Sequence, residues 1–174
     1  DEVKAREEQG YSYDVAQASF ELLARKVLNQ LPKFFEVKRY KVTVERRKNK
    51  YDKMISLSEA VVVVKVGEQK MLSVSESLDG TGSDRGPVNA LSKALVKDLG
   101  PYQDMANDVR LVDFKVRITQ GGTEAVTRVI IDSEDSKGRR WSTVGVSPNI
   151  VDASFEALLD AINWKLIRDQ AQIA

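Results

Sequence analysis

The sequence predicts an α+β fold built from two duplicated βββα units with pseudo-twofold symmetry, preceded by an N-terminal linker helix. Three observations point to it. Several segments alternate apolar and polar residues, the period of a strand with one face on a core and one in water. Other segments carry apolar residues three and four apart, which is the spacing of a helix face. The order of three strands and one helix occurs twice, over residues 38–99 and 111–168. Gly82, Val88, Ala90, Ala94 and Leu95 are matched sixty-three positions later by Gly145, Val151, Ala153, Ala157 and Leu158.

The elements follow in order. The opening stretch from Asp1 to Gln9 is polar and helix-prone. Asp14-Val15-Ala16-Gln17 has the form of a capping box, and Val15, Ala18, Ser19, Leu22, Leu23, Lys26, Val27 and Leu31 keep helical spacing up to Pro32. This helix reads as the end of a linker segment over residues 1–36, with Phe34 and Phe35 in the linker. In the first unit, Tyr40, Val42 and Val44 alternate with Lys41, Thr43 and Glu45, and a charged loop runs from Lys48 to Lys53. The valine-rich run Glu59 to Val66 reads as a strand, and Gly67-Glu68 turns the chain into a third strand at Met71 to Ser77. A Gly-rich connection from Asp79 to Pro87 leads to a helix with Val88, Leu91, Leu95 and Leu99 on one face, and Pro87 suits its first turn. In the second unit Val112, Phe114, Val116 and Ile118 are expected to face inward, and Gly121-Gly122 makes a turn. A strand from Glu124 to Ile131, a hairpin loop from Ser133 to Gly138 and a strand through Trp141 to Val146 come next. The last helix opens at Ser147-Pro148-Asn149-Ile150 with a capping side chain available.

Composition excludes much chemistry. The chain has 174 residues, 42% hydrophobic and 30% charged, with 27 basic against 26 acidic residues and neither His nor Cys. That is enough chain to bury a core, and the near-neutral balance offers no charge-driven partner such as nucleic acid. Disulfides, thiolate nucleophiles, Cys/His metal sites and imidazole acid–base work are all absent. The longest apolar run, Ala60 to Val64 with Val66 beyond Lys65, is too short to span a bilayer, and no signal peptide opens the chain. A cytoplasmic setting is expected, and a chain starting at Asp1 is expected to be part of a longer one.

Of the remaining features, the Gly-rich stretch around Gly82 and Gly86 lacks the Lys-Ser/Thr ending of a phosphate loop and follows an antiparallel meander, so dinucleotide binding is not expected. A small carboxylate held at that helix start, with glycines allowing close backbone approach, is the preferred reading over a plain surface turn. Asp113 on a strand's polar face, the hairpin trio Asp132, Glu134 and Asp135, and Asp152 in a first helical turn read mainly as solvated side chains. Trp141 and Trp164 read as core or interface aromatics, and Arg46-Arg47-Lys48-Asn49-Lys50 as a charged hairpin loop.

Several stretches carry a family likeness: Gly10-Tyr11-Ser12-Tyr13-Asp14-Val15-Ala16-Gln17-Ala18-Ser19-Phe20-Glu21, Gly-Pro-Val-Asn-Ala at 86 to 90, and Trp141 to Ser147 with Asn149 to Ser154. They resemble the C-terminal regulatory part of the α-isopropylmalate synthase and citramalate synthase family, most of all citramalate synthase, over about residues 7 to 168. The resemblance implies that residues 37–174 form a regulatory domain that dimerises and binds an end-product branched-chain amino acid, isoleucine first and leucine next. It implies a separate catalytic barrel that condenses acetyl-CoA with a 2-oxo acid on a divalent metal, and no cofactor or catalytic residue in this chain. Effector-binding roles carry over to Gly82, Gly86, Pro87, Val88, Gly145, Ser147, Asn149 and Ile150, at helix starts whose duplication lets both face one cleft. Asp113 or Asp152 would take the ligand's ammonium. The alternatives are a dimerisation scaffold without an effector site and an unrelated nucleic-acid module.

Overall fold

The computed structural model describes residues 1–78, 86–120 and 125–174. Gly82 and the Gly121-Gly122 turn lie outside these residues. The described chain falls into two compact units.

One unit holds residues 34–103 with the last two residues. Its sheet is the antiparallel meander β1 (Glu36–Lys48), β2 (Met54–Val66) and β3 (Gln69–Leu78), in that spatial order. The strands run longer than the alternation alone marks, because the paired backbone continues through the charged ends of the β1–β2 hairpin. Asn49 shapes that turn, its side chain accepting from the Tyr51 and Lys53 amides at 2.9 and 3.1 Å. On β2, Ser58, Ala60, Val62, Val64 and Val66 are buried at period two, and α3 (Gly86–Lys97) lies on β2 and β3. Residues 100–107, where no periodicity marks an element, form a 3-10 turn and the short α4 (Gln103–Asn107), most of which already belongs to the other unit. Phe34, expected in a linker, is instead buried and meets the Tyr102 ring edge-on at 5.4 Å.

The other unit holds residues 1–33 and 104–172. Its meander is β4 (Arg110–Gln120), β5 (Val126–Glu134) and β6 (Arg140–Ser147). The long α5 (Ile150–Arg168) covers β5 and β6. On the opposite face, Tyr13, Ala16 and Leu23 pack with Val144, and Ile130 and Val146 join them. Thus the N-terminal elements α1 (Glu2–Glu8) and α2 (Gln17–Val27) belong to the unit of the second meander.

The α2 boundaries depart from the expected capping box. Asp14 accepts from Ser12 Oγ at 2.7 Å, the chain makes a 3-10 turn over Tyr13–Val15, and the helix opens at Gln17 with no side-chain cap. It closes before Pro32 because Asn29 takes a left-handed φ of 54°, and the Gln30 amide reaches back to the Arg25 carbonyl at 2.7 Å. That is a Schellman closure, and Gly10 and Gln170 end α1 and α5 in the same way.

Each repeat buries its helix in the same register. Ala90, Ala94 and Leu95 of α3 and their counterparts Ala153, Ala157 and Leu158 of α5 are all buried. The first strand of each meander is covered least. Val112, Phe114, Val116 and Ile118, expected to face inward, are 41, 38, 40 and 70% exposed. Phe114, Val116 and Ile118 do share a face with buried Ile131 and Val129, yet α5 rests over β5 and β6 and leaves β4 open.

Candidate functional site

The second helix start is built by β6 running into α5. Asn149 is its N-cap, and its side-chain oxygen accepts from the Val151 amide at 2.8 Å and the Asp152 amide at 3.4 Å. Ser147 Oγ accepts from the Asn149 amide at 3.1 Å. These two polar groups therefore satisfy amides that an incoming carboxylate would use. Replacing Asn149 with Ala is expected to lower stability by about 1 kcal/mol, read as a small fall in the urea midpoint; an unchanged midpoint would show that the cap contributes nothing. Ile150 is 47% exposed at the start of the helix, and Asp152 lies in its first turn, where the dipole favours a negative charge.

Gly145, to which the resemblance carries an effector-binding role, has a packing role in the fold. A Cβ built there would lie 1.8 Å from the Ala153 carbonyl oxygen and 3.0 Å from the Ala157 nitrogen. The absent side chain is what lets α5 lie against β6, and the Thr143 hydroxyl donates to the Ala157 carbonyl at 2.8 Å across the same seam.

The structure does not bring Asp113 to this helix start. Register pairs Asp113 with Asp132 and Asp132 with Ser142, whereas Gly145 pairs with Val129 on the opposite face. Asp113 accepts from the Phe114 amide and lies 3.1 Å from Lys115 Nζ. The Lys115 contact holds its carboxyl below the usual range.

At the first helix start, Gly86 has a left-handed φ of 87°, and among the described residues no atom lies within 4 Å of where a Cβ would be. Pro87 and Val88 follow it, half-buried. One turn in, the Asn89 side-chain nitrogen is buried with no hydrogen-bond partner among the described residues. Asn89 belongs to the Gly-Pro-Val-Asn-Ala motif, yet the resemblance carries no role to it. Its short polar side chain in a first turn, amid apolar neighbours, was the available signal. A buried unpaired amide costs about 1–3 kcal/mol, so it marks a position with unused hydrogen-bonding capacity.

Reading the hairpin carboxylates as solvated fails at Asp135. Its side chain is wholly buried, and Lys165, 1% exposed, reaches Asp135, Asp169 and Asp108 at 3.0, 2.9 and 2.8 Å. Arg139 pairs with Asp135 and Asp169 from the hairpin side. Burial alone would raise the Asp135 carboxyl, but hydrogen bonds from Arg139 and Lys165 outweigh it and hold it far below the usual range. A buried Lys among facing carboxylates is a neutralised structural knot, which ties the β5–β6 hairpin to the end of α5. Trp141 is buried and stacks on Trp164 at 4.7 Å, as expected of core aromatics.

Among the described residues no group of three or more Asp or Glu is arranged to hold a metal ion. No described helix is long and apolar enough to cross a membrane.

Comparison with known proteins gives a consistent picture. Residues 14–166 match the family model described as the LeuA allosteric (dimerisation) domain. An (R)-citramalate synthase of Geobacter sulfurreducens is 42% identical over 170 residues, 97% of this chain and 30% of that protein. One from Aquifex aeolicus is 37% identical over 174 residues, 99% of this chain and 31% of its own length. A 2-isopropylmalate synthase of Pseudoalteromonas atlantica is 33% identical over 111 residues, 64% of this chain and 19% of that protein. The chain thus spans under a third of the length of the curated relatives it matches.

Proposed function

This chain belongs to the family of LeuA allosteric (dimerisation) domains, and on that premise we propose that it is the regulatory and self-associating part of a citramalate synthase, with a branched-chain amino acid, isoleucine first, as its feedback effector. The observation that carries the reading is the near end-to-end match to (R)-citramalate synthases. Condensation of acetyl-CoA with a 2-oxo acid, and the divalent metal that supports it, are assigned to the rest of the parent polypeptide. This chain offers no donor set for the metal among its described residues. It has no His or Cys to supply one.

Two features support the reading, one for ligand binding and one for self-association. Gly86, Pro87 and Val88 open α3 beside the Asn89 amide, which has no partner among the described residues and would take a ligand carboxylate or carbonyl. The apolar row on β4 supports self-association, because an edge strand with Phe114, Val116 and Ile118 left open is stabilised by cover from another copy. The α5 start favours the second reading, a scaffold without an effector site, because Asn149 and Ser147 occupy its amides.

Thermal unfolding with isoleucine, leucine, valine and lysine in parallel separates the two. At about one hundred times its dissociation constant, a ligand that binds only the native state stabilises by about 2.7 kcal/mol. A rise selective for isoleucine is the expected result. A rise for leucine alone would move the parent to 2-isopropylmalate synthase, and no rise with any of the four would leave the scaffold.

A further inference from the structure

The N-terminal segment is fastened to α5 by one stripe of side chains at four-residue spacing. Tyr11 OH donates to Glu156, Ser19 Oγ donates to Asp160 at 2.7 Å, and Trp164 Nε1 and Arg168 both donate to Glu21, at 3.1 and 2.6 Å. At the last position of this stripe Arg168 meets the opposite charge of Glu21. The first two positions bring no opposite charge together. Glu156 and Asp160 are like charges one turn apart, half-buried on the helix face that the N-terminal segment covers. Among the described residues neither has an ion-pair partner.

The contact at Asp160 goes one step further into the fold. Ser19 donates to Asp160 and accepts from the Val144 amide at 2.9 Å. Val144 lies on β6, the edge strand of its sheet, so the Ser19 hydroxyl links that edge to the carboxylate. Glu156 accepts from the next free edge amide, Val146, at 3.3 Å. Both edge amides are therefore satisfied by groups tied to these two carboxylates.

We propose that the seating of α2 against β6 and α5 is a proton-linked latch, held when Asp160 is protonated and loosened when it ionises beside Glu156. The groups that face Asp160 are Glu156 from α5, Ser19 and the more distant Lys26 from α2, Arg6 from α1 and Tyr13 from the 3-10 turn. Arg6 is engaged elsewhere, with Glu2 at 3.1 Å and over the Tyr11 ring at 5.3 Å. Burial is the main cause that pushes the Asp160 carboxyl up to about 7. Glu156 adds to the rise, while Ser19, Arg6 and Lys26 oppose it. The sign follows. A carboxyl whose value is higher when α2 is seated binds more protons in that state, so seating weakens as pH rises from about 4 to about 7 and is constant above.

Hydrogen exchange of the 174-residue chain tests the latch. The α2 amides, residues 17–27, are compared with those of β5 at pH 5.5 and 8, after correction for intrinsic exchange. Opening of α2 relative to β5 is expected to increase by on the order of tenfold to thirtyfold, the factor linkage gives for a carboxyl at about 7 when seated and about 3.9 when released. In Asp160→Asn this dependence is expected to vanish while β5 stays protected. In Ser19→Ala, which removes the donor to the ionised form, the transition is expected at higher pH. Less than about a threefold change in the unaltered chain overturns the proposal, because linkage requires more. So does an unshifted transition in Ser19→Ala, which keeps the test open if Asp160→Asn does not fold. The result is independent of the effector reading, since no amino acid is added.

Discussion

Replacing Lys165 with Met is expected to lower stability by about 3–5 kcal/mol, because it removes the cation from a buried knot and leaves carboxylates uncompensated. Asp135 is wholly buried, and Asp169 is 9% exposed. Arg139 remains beside both, which keeps the loss below that of a fully orphaned charge. In thermal unfolding the midpoint should fall by about 10 °C for a chain of this size. A second readout is the acid limb. Lys165 hydrogen bonds help hold Asp108, Asp135 and Asp169 below the usual carboxylate range. Groups lowered in this way contribute fully above a pH of about 5 and lose that contribution progressively as pH falls from about 4 through their lowered folded values, about 2 for Asp169. The unaltered chain should therefore lose stability from pH 5 to 2, and Lys165→Met should show a shallower loss. A variant that unfolds at the parent temperature with the same acid limb would show that the knot contributes nothing net.

The strands and helices were legible because one face of each is apolar at the period of its backbone, as on β2 and α3. The knot was less so. Asp135 sits in a run of charge that reads locally as a solvated hairpin, and only the fold brings residues 108, 135, 165 and 169 together. One signal was present: Lys165 continues the stripe of Leu158, Ala161 and Ile162, all buried, and a lysine on a buried stripe needs a carboxylate. The β4 row was misread for another reason. Alternation marks which residues share a face, but not whether a helix reaches over that strand. Of the candidate site, the Asn149 cap could be read from local chemistry. The face that Asp113 takes follows from register, and the unpaired Asn89 amide from three-dimensional packing.

The same limit governs Gly145, where substitution by Ala is expected to cost about 3 kcal/mol or more. Overpacking a core by one methyl usually costs about 1–3 kcal/mol, because side chains yield. Here the added carbon meets backbone: the Ala153 carbonyl oxygen at 1.8 Å, its carbon at 2.8 Å and the Ala157 nitrogen at 3.0 Å. No rotamer change relieves that contact, so α5 as a whole must lift from β6. Lifting it weakens the Thr143 hydrogen bond to Ala157 and loosens the buried alanines along the seam. Urea unfolding of Gly145→Ala measures the loss, and a midpoint equal to the parent's would show that α5 shifts freely. The outcome also bears on the proposed effector. If Gly145→Ala abolishes a response to isoleucine, a displaced helix accounts for it as well as a lost ligand contact does. Asn149→Ala, which keeps the seam and frees two amides, is the cleaner probe of the α5 start. Equal or tighter isoleucine binding in that variant would mean that the Asn149 side chain competes with the ligand for those amides. Weaker binding would mean that the asparagine itself holds the ligand.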